Sequence, residues 1–298
     1  MKKNIITRRS LLKKAATLAA GSALLMNLPV RVFGSTGNKQ SRVVLIRDEA
    51  IIDAEGKVNA AVMQDMLDKA MLSLTGKSSV QQAWKGIIRP DDVVGIKTNV
   101  WSYLATPPEL EKAIKSRVME AGVADKNISI KDRDVLSDPV FQKATALINV
   151  RPMRTHAWSG VGSLIKNYIM FTPNPSSYHS DSCADLATLF ELPEVKGKSR
   201  LHILVMLTPL FHGVGPHHFN KEFTWPYKGI IAGFDPVAVD SVGLQIIQAK
   251  RREYFGEDKP LNPPAKHILL ADTRHHLGTA DPEMIELVKL GWQKEAMV

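Results

Sequence analysis

One short stretch gathers most of the side chains that could do chemistry. In Thr155-His156-Ala157-Trp158-Ser159-Gly160-Val161-Gly162-Ser163-Leu164-Ile165-Lys166-Asn167, the glycines at 160 and 162 permit a turn and close backbone approach. A helix following them would aim its first amides at an anion. Lys166, flanked by Ile165 and Tyr168, is set to be desolvated, which lowers an ammonium's pKa toward nucleophilic use; an amphipathic surface helix would also carry a lysine there. His156 and His179 bracket the segment. Imidazole titrates near neutrality and ligates transition metals through its neutral ring, so both are candidate catalytic bases or ligands, against the ordinary alternative of hydrogen-bonded structural histidines.

A second cluster, Phe211-His212-Gly213-Val214-Gly215-Pro216-His217-His218, offers His212 as a weak third metal ligand. A transition-metal site needs three or four converging ligands, and no His-x-x-x-His or paired-cysteine spacing supports one, so solvated loop histidines compete with that reading. The pair His275-His276 has no ligand pattern at all. Cys183 is the only cysteine, which rules out an internal disulfide or a four-cysteine iron–sulfur cluster from this chain's own residues. Phosphate loop, dinucleotide fingerprint and Gly-x-Ser-x-Gly elbow are all missing.

These residues need a scaffold, and the apolar pattern supplies one. Short β-branched runs at 42–46, 92–96, 128–130, 146–150, 201–207 and 229–232 alternate with helical periodicities at 62–74, 108–121 and 236–250, which predicts a layered α/β fold with a largely parallel or mixed sheet and flanking helices. Ligands in such sheets sit beyond the carboxyl ends of strands. That directs attention to Lys97-Thr98-Asn99, Arg154-Thr155-His156, Thr208 to His218, and Asp235-Pro236. Asp235 reads fully as an N-cap before a proline, whereas Asp240 is left facing either the core or a site.

The first 34 residues read separately. Thr7-Arg8-Arg9-Ser10-Leu11-Leu12-Lys13 followed by a short apolar run matches an export leader, too short to span a bilayer, and resembles the twin-arginine consensus read by its translocase. The expected division is a signal peptide over 1–34 and one α/β domain over 35–298, placed in the periplasm or another extracytoplasmic space with no stable membrane span once mature. Seven of the 39 basic residues lie in the leader, leaving 32 against 30 acids, a net +2. The high pI is thus mostly the leader's, and nucleic-acid or membrane-surface binding is excluded as an expectation.

Four separated segments, Val94 to Asn99, Leu147 to Val150 leading to Thr155-His156, Gly160 to Asn167, and Gly229 to Asp240, together resemble the domain-of-unknown-function family 362. Its members are often twin-arginine exported, and some carry a ferredoxin-like segment that this chain lacks. The chain departs from the family in Lys97-Thr98-Asn99 for Lys-Pro-Asn, in Arg154 for lysine, and in Thr208 where an acid is usual. His156, the glycines, Lys166 and His179 also resemble, more distantly, the nickel-pincer lactate racemase family. That likeness implies Lys166 as a covalent attachment point, with His156 and His179 as base or ligand.

The combined expectation is a cleft in which Lys97, Asn99, Asn167, Gly160 and Gly162 bind an anionic small molecule or a metal-containing cofactor. Lys166, His156 and His179 would catalyse a redox or isomerisation step, with a redox protein as a candidate partner. The competing expectation is a non-catalytic periplasmic ligand-binding or accessory protein.

Overall fold

The computed structural model describes residues 40–215 and 217–298; the leader expected over 1–34 lies outside them. Eight strands form one mixed sheet. In chain order they are β1 (Ser41–Arg47), β2 (Val94–Lys97), β3 (Ile128–Lys131), β4 (Ala146–His156), β5 (Gly160–Gly162), β6 (Ser199–Leu210), β7 (Gly229–Gly233) and β8 (Ile285–Gly291). Their order across the sheet is β3-β2-β4-β6-β7-β1-β8, with β5 folded back on the end of β4. Every neighbouring pair on this path is parallel except the two made by β7.

Helices cover both faces. On one side α1 (Ala60–Thr75), α2 (Val80–Lys85) and α3 (Pro108–Glu120) bury Met63, Met66, Leu67, Trp84, Ile114 and Val118 against Val44, Ile96, Ile148, Ile203 and Ile230. On the other side the short α4 (Leu164–Asn167), the long α5 (Pro236–Phe255) and α6 (Lys266–Thr273) pack Ile165, Val242, Ile246 and Ile268 against Leu45, Met153, Leu204 and Ile231. Sealing both faces explains why the central strands read as unbroken apolar runs instead of alternating ones. Asn59 caps α1 by accepting from Ala61 and Val62, and left-handed Gly76 ends it. Asp235 caps α5 through Val237 and Ala238 and also accepts from Ser41 and Thr279.

One expectation about the site edge is corrected here. Because β7 runs antiparallel to β6, the Asp235-Pro236 end of that strand lies at the opposite edge of the sheet from the carboxyl ends of β2, β4 and β6. Of the four segments, only Lys97–Asn99, Arg154–His156 and Thr208–Gly215 share the edge formed by those carboxyl ends. Among the described residues no helix is long and apolar enough to cross a membrane.

Candidate functional site

Two polar groups are built into this edge, and they differ in how completely they are satisfied. The first is a closed bracket beneath β2 and β4. Lys97, fully buried, donates from Nζ to Asp132 Oδ1 at 2.7 Å, to the Thr98 carbonyl at 2.8 Å and to Asn167 Oδ1 at 3.4 Å. Asn167 in turn donates from Nδ2 to Asn149 Oδ1 at 2.8 Å and to the carbonyls of Lys97 and Val150 at 3.2 Å. Asn149 donates to the Leu164 carbonyl at 2.9 Å and meets His202 Nδ1 at 3.4 Å, and the chain ends through Ser199 at the Tyr168 hydroxyl. Burial brings the Lys97 ammonium down to about 8 while Asp132 works to hold it charged. Burial works to raise the Asp132 carboxyl, but Lys97 and the Val100 amide outweigh it and leave the acid below its usual range.

The second group is open. Asn149, Arg151 and Met153 alternate toward the α4 and α5 face of β4, which brings Arg151 beside Lys166 and His156. Arg151 is 4% exposed, yet its guanidinium donates no hydrogen bond among the described residues, and its Nε is a buried atom without a partner. Burial pulls its pKa down to about 10. Arg154, whose strand register shifts at a bulge after Pro152, lies over the Trp101 ring at 4.5 Å and gives Nη1 to Asn99 Oδ1 at 2.9 Å, while its Nε is also unpartnered. Lys166 is 3% exposed and, among the described residues, donates to the Cys183 sulfur alone, at 3.5 Å. Burial, with repulsion from Arg151 and Arg154, lowers it to about 8.

His156 is held neutral, first by burial and then by the charges of Lys166, Arg151 and Arg154. Its Nδ1 accepts from the Trp158 amide at 3.2 Å, so the neutral ring must carry its proton on Nε2. Arg151 Nη2 and His156 Cδ2 lie 2.6 and 3.3 Å from where a Gly162 Cβ would be, and Arg154 and Lys166 stand near enough to His156 to oppose its charged form. The cluster approaches solvent at Trp158, 42% exposed, whose ring contacts those of His156, His179 and His217 with centroids 5.7, 4.1 and 4.8 Å apart.

Local backbone explains how such a cluster can exist. At Gly162 a Cβ would lie 2.6 Å from Arg151 Nη2, the movable end of a side chain, whereas Gly160 is required because its φ is +70° and a Cβ would strike the Pro263 carbonyl and Ala265 amide at 2.6 Å. These glycines make room for an arginine and for packing. The amides expected to face a ligand already have an anion: Asp240, fully buried, accepts from Ser163 Oγ at 2.6 Å and from Leu164 N and Ile165 N at 2.9 Å. Burial raises its carboxyl to about 6. Asp181, Ser182 and Cys183 follow one another at φ 50°, 57° and 62°, a left-handed run costing on the order of 1 kcal/mol per residue, which sets the thiol against Lys166.

The sequence-derived candidates thus divide. Lys97, Asn99, Asn167, His156, His179 and Lys166 all stand at this edge, with Lys97 and Asn167 spent on the bracket. His212 does not join them: it accepts from Arg251 at 3.3 Å and packs on Phe223 and Phe255. Among the described residues no group of three His, Cys, Asp or Glu side chains is placed to hold a metal ion. Arg151, Asp132 and His267 were not singled out in advance. Arg151 was visible as a charge inside a strand otherwise apolar enough to be buried, whereas His267 in α6 sits in no motif. His267 is fully buried, with neither ring nitrogen partnered among the described residues; burial holds it at about 3, and Lys166 and Arg151 repel its charged form.

Comparison with known proteins adds one match. The family model described as Domain of unknown function (DUF362) matches residues 120–245, the segment that contributes β3, β4, β6, β7, Lys166 and Asp240. No curated protein and no solved structure matched the chain.

Proposed function

We propose that this protein, exported by the twin-arginine route, binds a small, multiply charged oxyanion at the carboxyl edge of its sheet through Arg151, Arg154, His156 and Lys166. The observation that carries the reading is the pair of buried guanidinium groups whose Nε atoms lack an acceptor among the described residues. Leaving a buried charged donor unpaired is costly, of order 1–3 kcal/mol or more. A sequence retains that cost twice in one small volume when a ligand supplies the missing acceptors.

Charge supports the same class. Asp132 is committed to Lys97 and Asp240 to the start of α4, so the open cluster holds an excess of cations. Guanidinium forks match planar or tetrahedral oxyanions with two parallel bonds. The motif at residues 7–13 supports export.

Calorimetric titration of the mature chain with phosphate, sulfate and oxalate at matched ionic strength tests this. Saturable binding to at least one of them, weakened about tenfold or more by Arg151→Met, is the expected result. Absence of binding, or equal binding by the variant, would refute it.

A further inference from the structure

We infer that the oxyanion taken here is a small 2-oxo acid, its carboxylate held by Arg151 and Arg154 and its carbonyl carbon joined to Lys166 Nζ as an imine. The inference rests on the oxyanion reading above and adds a covalent step to it.

The two buried lysines make the case by contrast. Lys97 has a carboxylate and two amide-type oxygens around its nitrogen. Lys166 has a single sulfur at 3.5 Å, a weak acceptor, and guanidinium groups that oppose a second positive charge beside them. A lysine so placed gives up its proton at lower pH than an exposed one, so a larger share of it carries the free lone pair needed for attack on carbon. A phosphate or sulfate would satisfy the arginines and leave that amine unused. A molecule carrying a carboxylate next to a carbonyl uses both.

The remaining groups fit the steps. The amine lone pair adds to the carbonyl carbon, and the carbonyl π pair moves to oxygen, which takes up the proton released from nitrogen. The carbinolamine then loses its hydroxyl with a second nitrogen proton, so that one water leaves and a carbon–nitrogen double bond remains; nothing is oxidised or reduced. His156, with its proton on Nε2, is a donor for the developing alkoxide. His267, neutral and unpartnered on both nitrogens, has one acceptor and one donor free to relay the protons. Lys166 is 3% exposed, which restricts the substrate to a few heavy atoms.

The test is reductive trapping. The mature chain is incubated with glyoxylate or pyruvate and cyanoborohydride at pH 7.5, peptide-mapped by mass spectrometry, and titrated in parallel with oxalate, which carries carboxylates but no ketone or aldehyde carbon. Labelling of Lys166 about tenfold or more faster than exposed lysines in the same digest, slowed by oxalate, is expected, with that label lost in Lys166→Arg. Oxalate binding with Lys166 labelled no faster than exposed lysines would overturn the imine and leave the oxyanion reading standing. Failure of both would overturn both, and the wild-type peptide map decides even where the variant fails to fold.

Discussion

Lys97 and Lys166 are both buried, both lowered to about 8 and both at the carboxyl edge of one sheet, yet they do opposite work. Lys97 closes a network in which each donor has its acceptor, and that network ties β2, β4 and α4 together. Lys166 belongs to a cluster whose donors are only partly supplied with acceptors among the described residues. A similar pKa on two lysines therefore says little about role; what distinguishes them is whether the surrounding groups have been supplied with partners.

The largest expected effect breaks the closed side. Asp132→Ala strands the buried Lys97 charge and should destabilise the fold by about 3–5 kcal/mol, read as a melting temperature lower by on the order of 10 °C. Lys166→Met, which removes a buried charge that has no carboxylate partner among the described residues, should leave melting unchanged or raise it. An equal loss in both variants would erase the distinction.

The next effect is on pH dependence. Unfolded lysines keep their protons up to 10.5, whereas these two release them near 8 when folded. Folded chains therefore bind fewer protons in that window, and stability should rise from pH 8 to 10.5 by on the order of 3 kcal/mol per lysine. Lys166→Met should show about half of that rise in denaturant titrations. Asp240 acts with the opposite slope: its carboxyl is raised from 3.8 to about 6, so its contribution is fully present below 3.8 and is lost as pH climbs through 6.

Smaller effects sharpen the open side. Arg154→Met should weaken anion binding by about tenfold to a hundredfold, the worth of one or two charge-assisted bonds, as read by calorimetry. Gly162→Ala should cost less than tenfold, since its Cβ would push only the far end of the Arg151 side chain, with stability changed by less than about 1 kcal/mol.

Much of the scaffold could be read in advance, because buried strands and amphipathic helices announce themselves by apolar runs and by three- and four-residue spacing. The strands at 42–46, 128–130, 201–207 and 229–232 and the helix at 62–74 fall where the apolar pattern put them. β8 escaped notice because Glu286 and Lys289 interrupt it on an edge where one side is wet. Strand direction was also hidden: the run at 229–232 carries no mark of being antiparallel, which is why Asp235 was placed at the wrong edge. Within the site, His156 and Lys166 stood out through the glycines beside them. Asp132 and His267 did not, since the lysine that Asp132 pairs with is 35 residues away and the charges that face His267 come from distant segments. That the helix amides would be taken by Asp240 was equally invisible, 75 residues away.

The most direct test of the central claim, that the Arg151 cluster sacrifices stability for an oxyanion, is thermal denaturation of wild type and Arg151→Met, each in chloride buffer and with oxalate or phosphate added at matched ionic strength. The account predicts that the variant melts at or above the wild-type temperature in chloride and that only the wild type gains from the anion. A variant that melts well below wild type in chloride, or that gains as much from the anion, would contradict it.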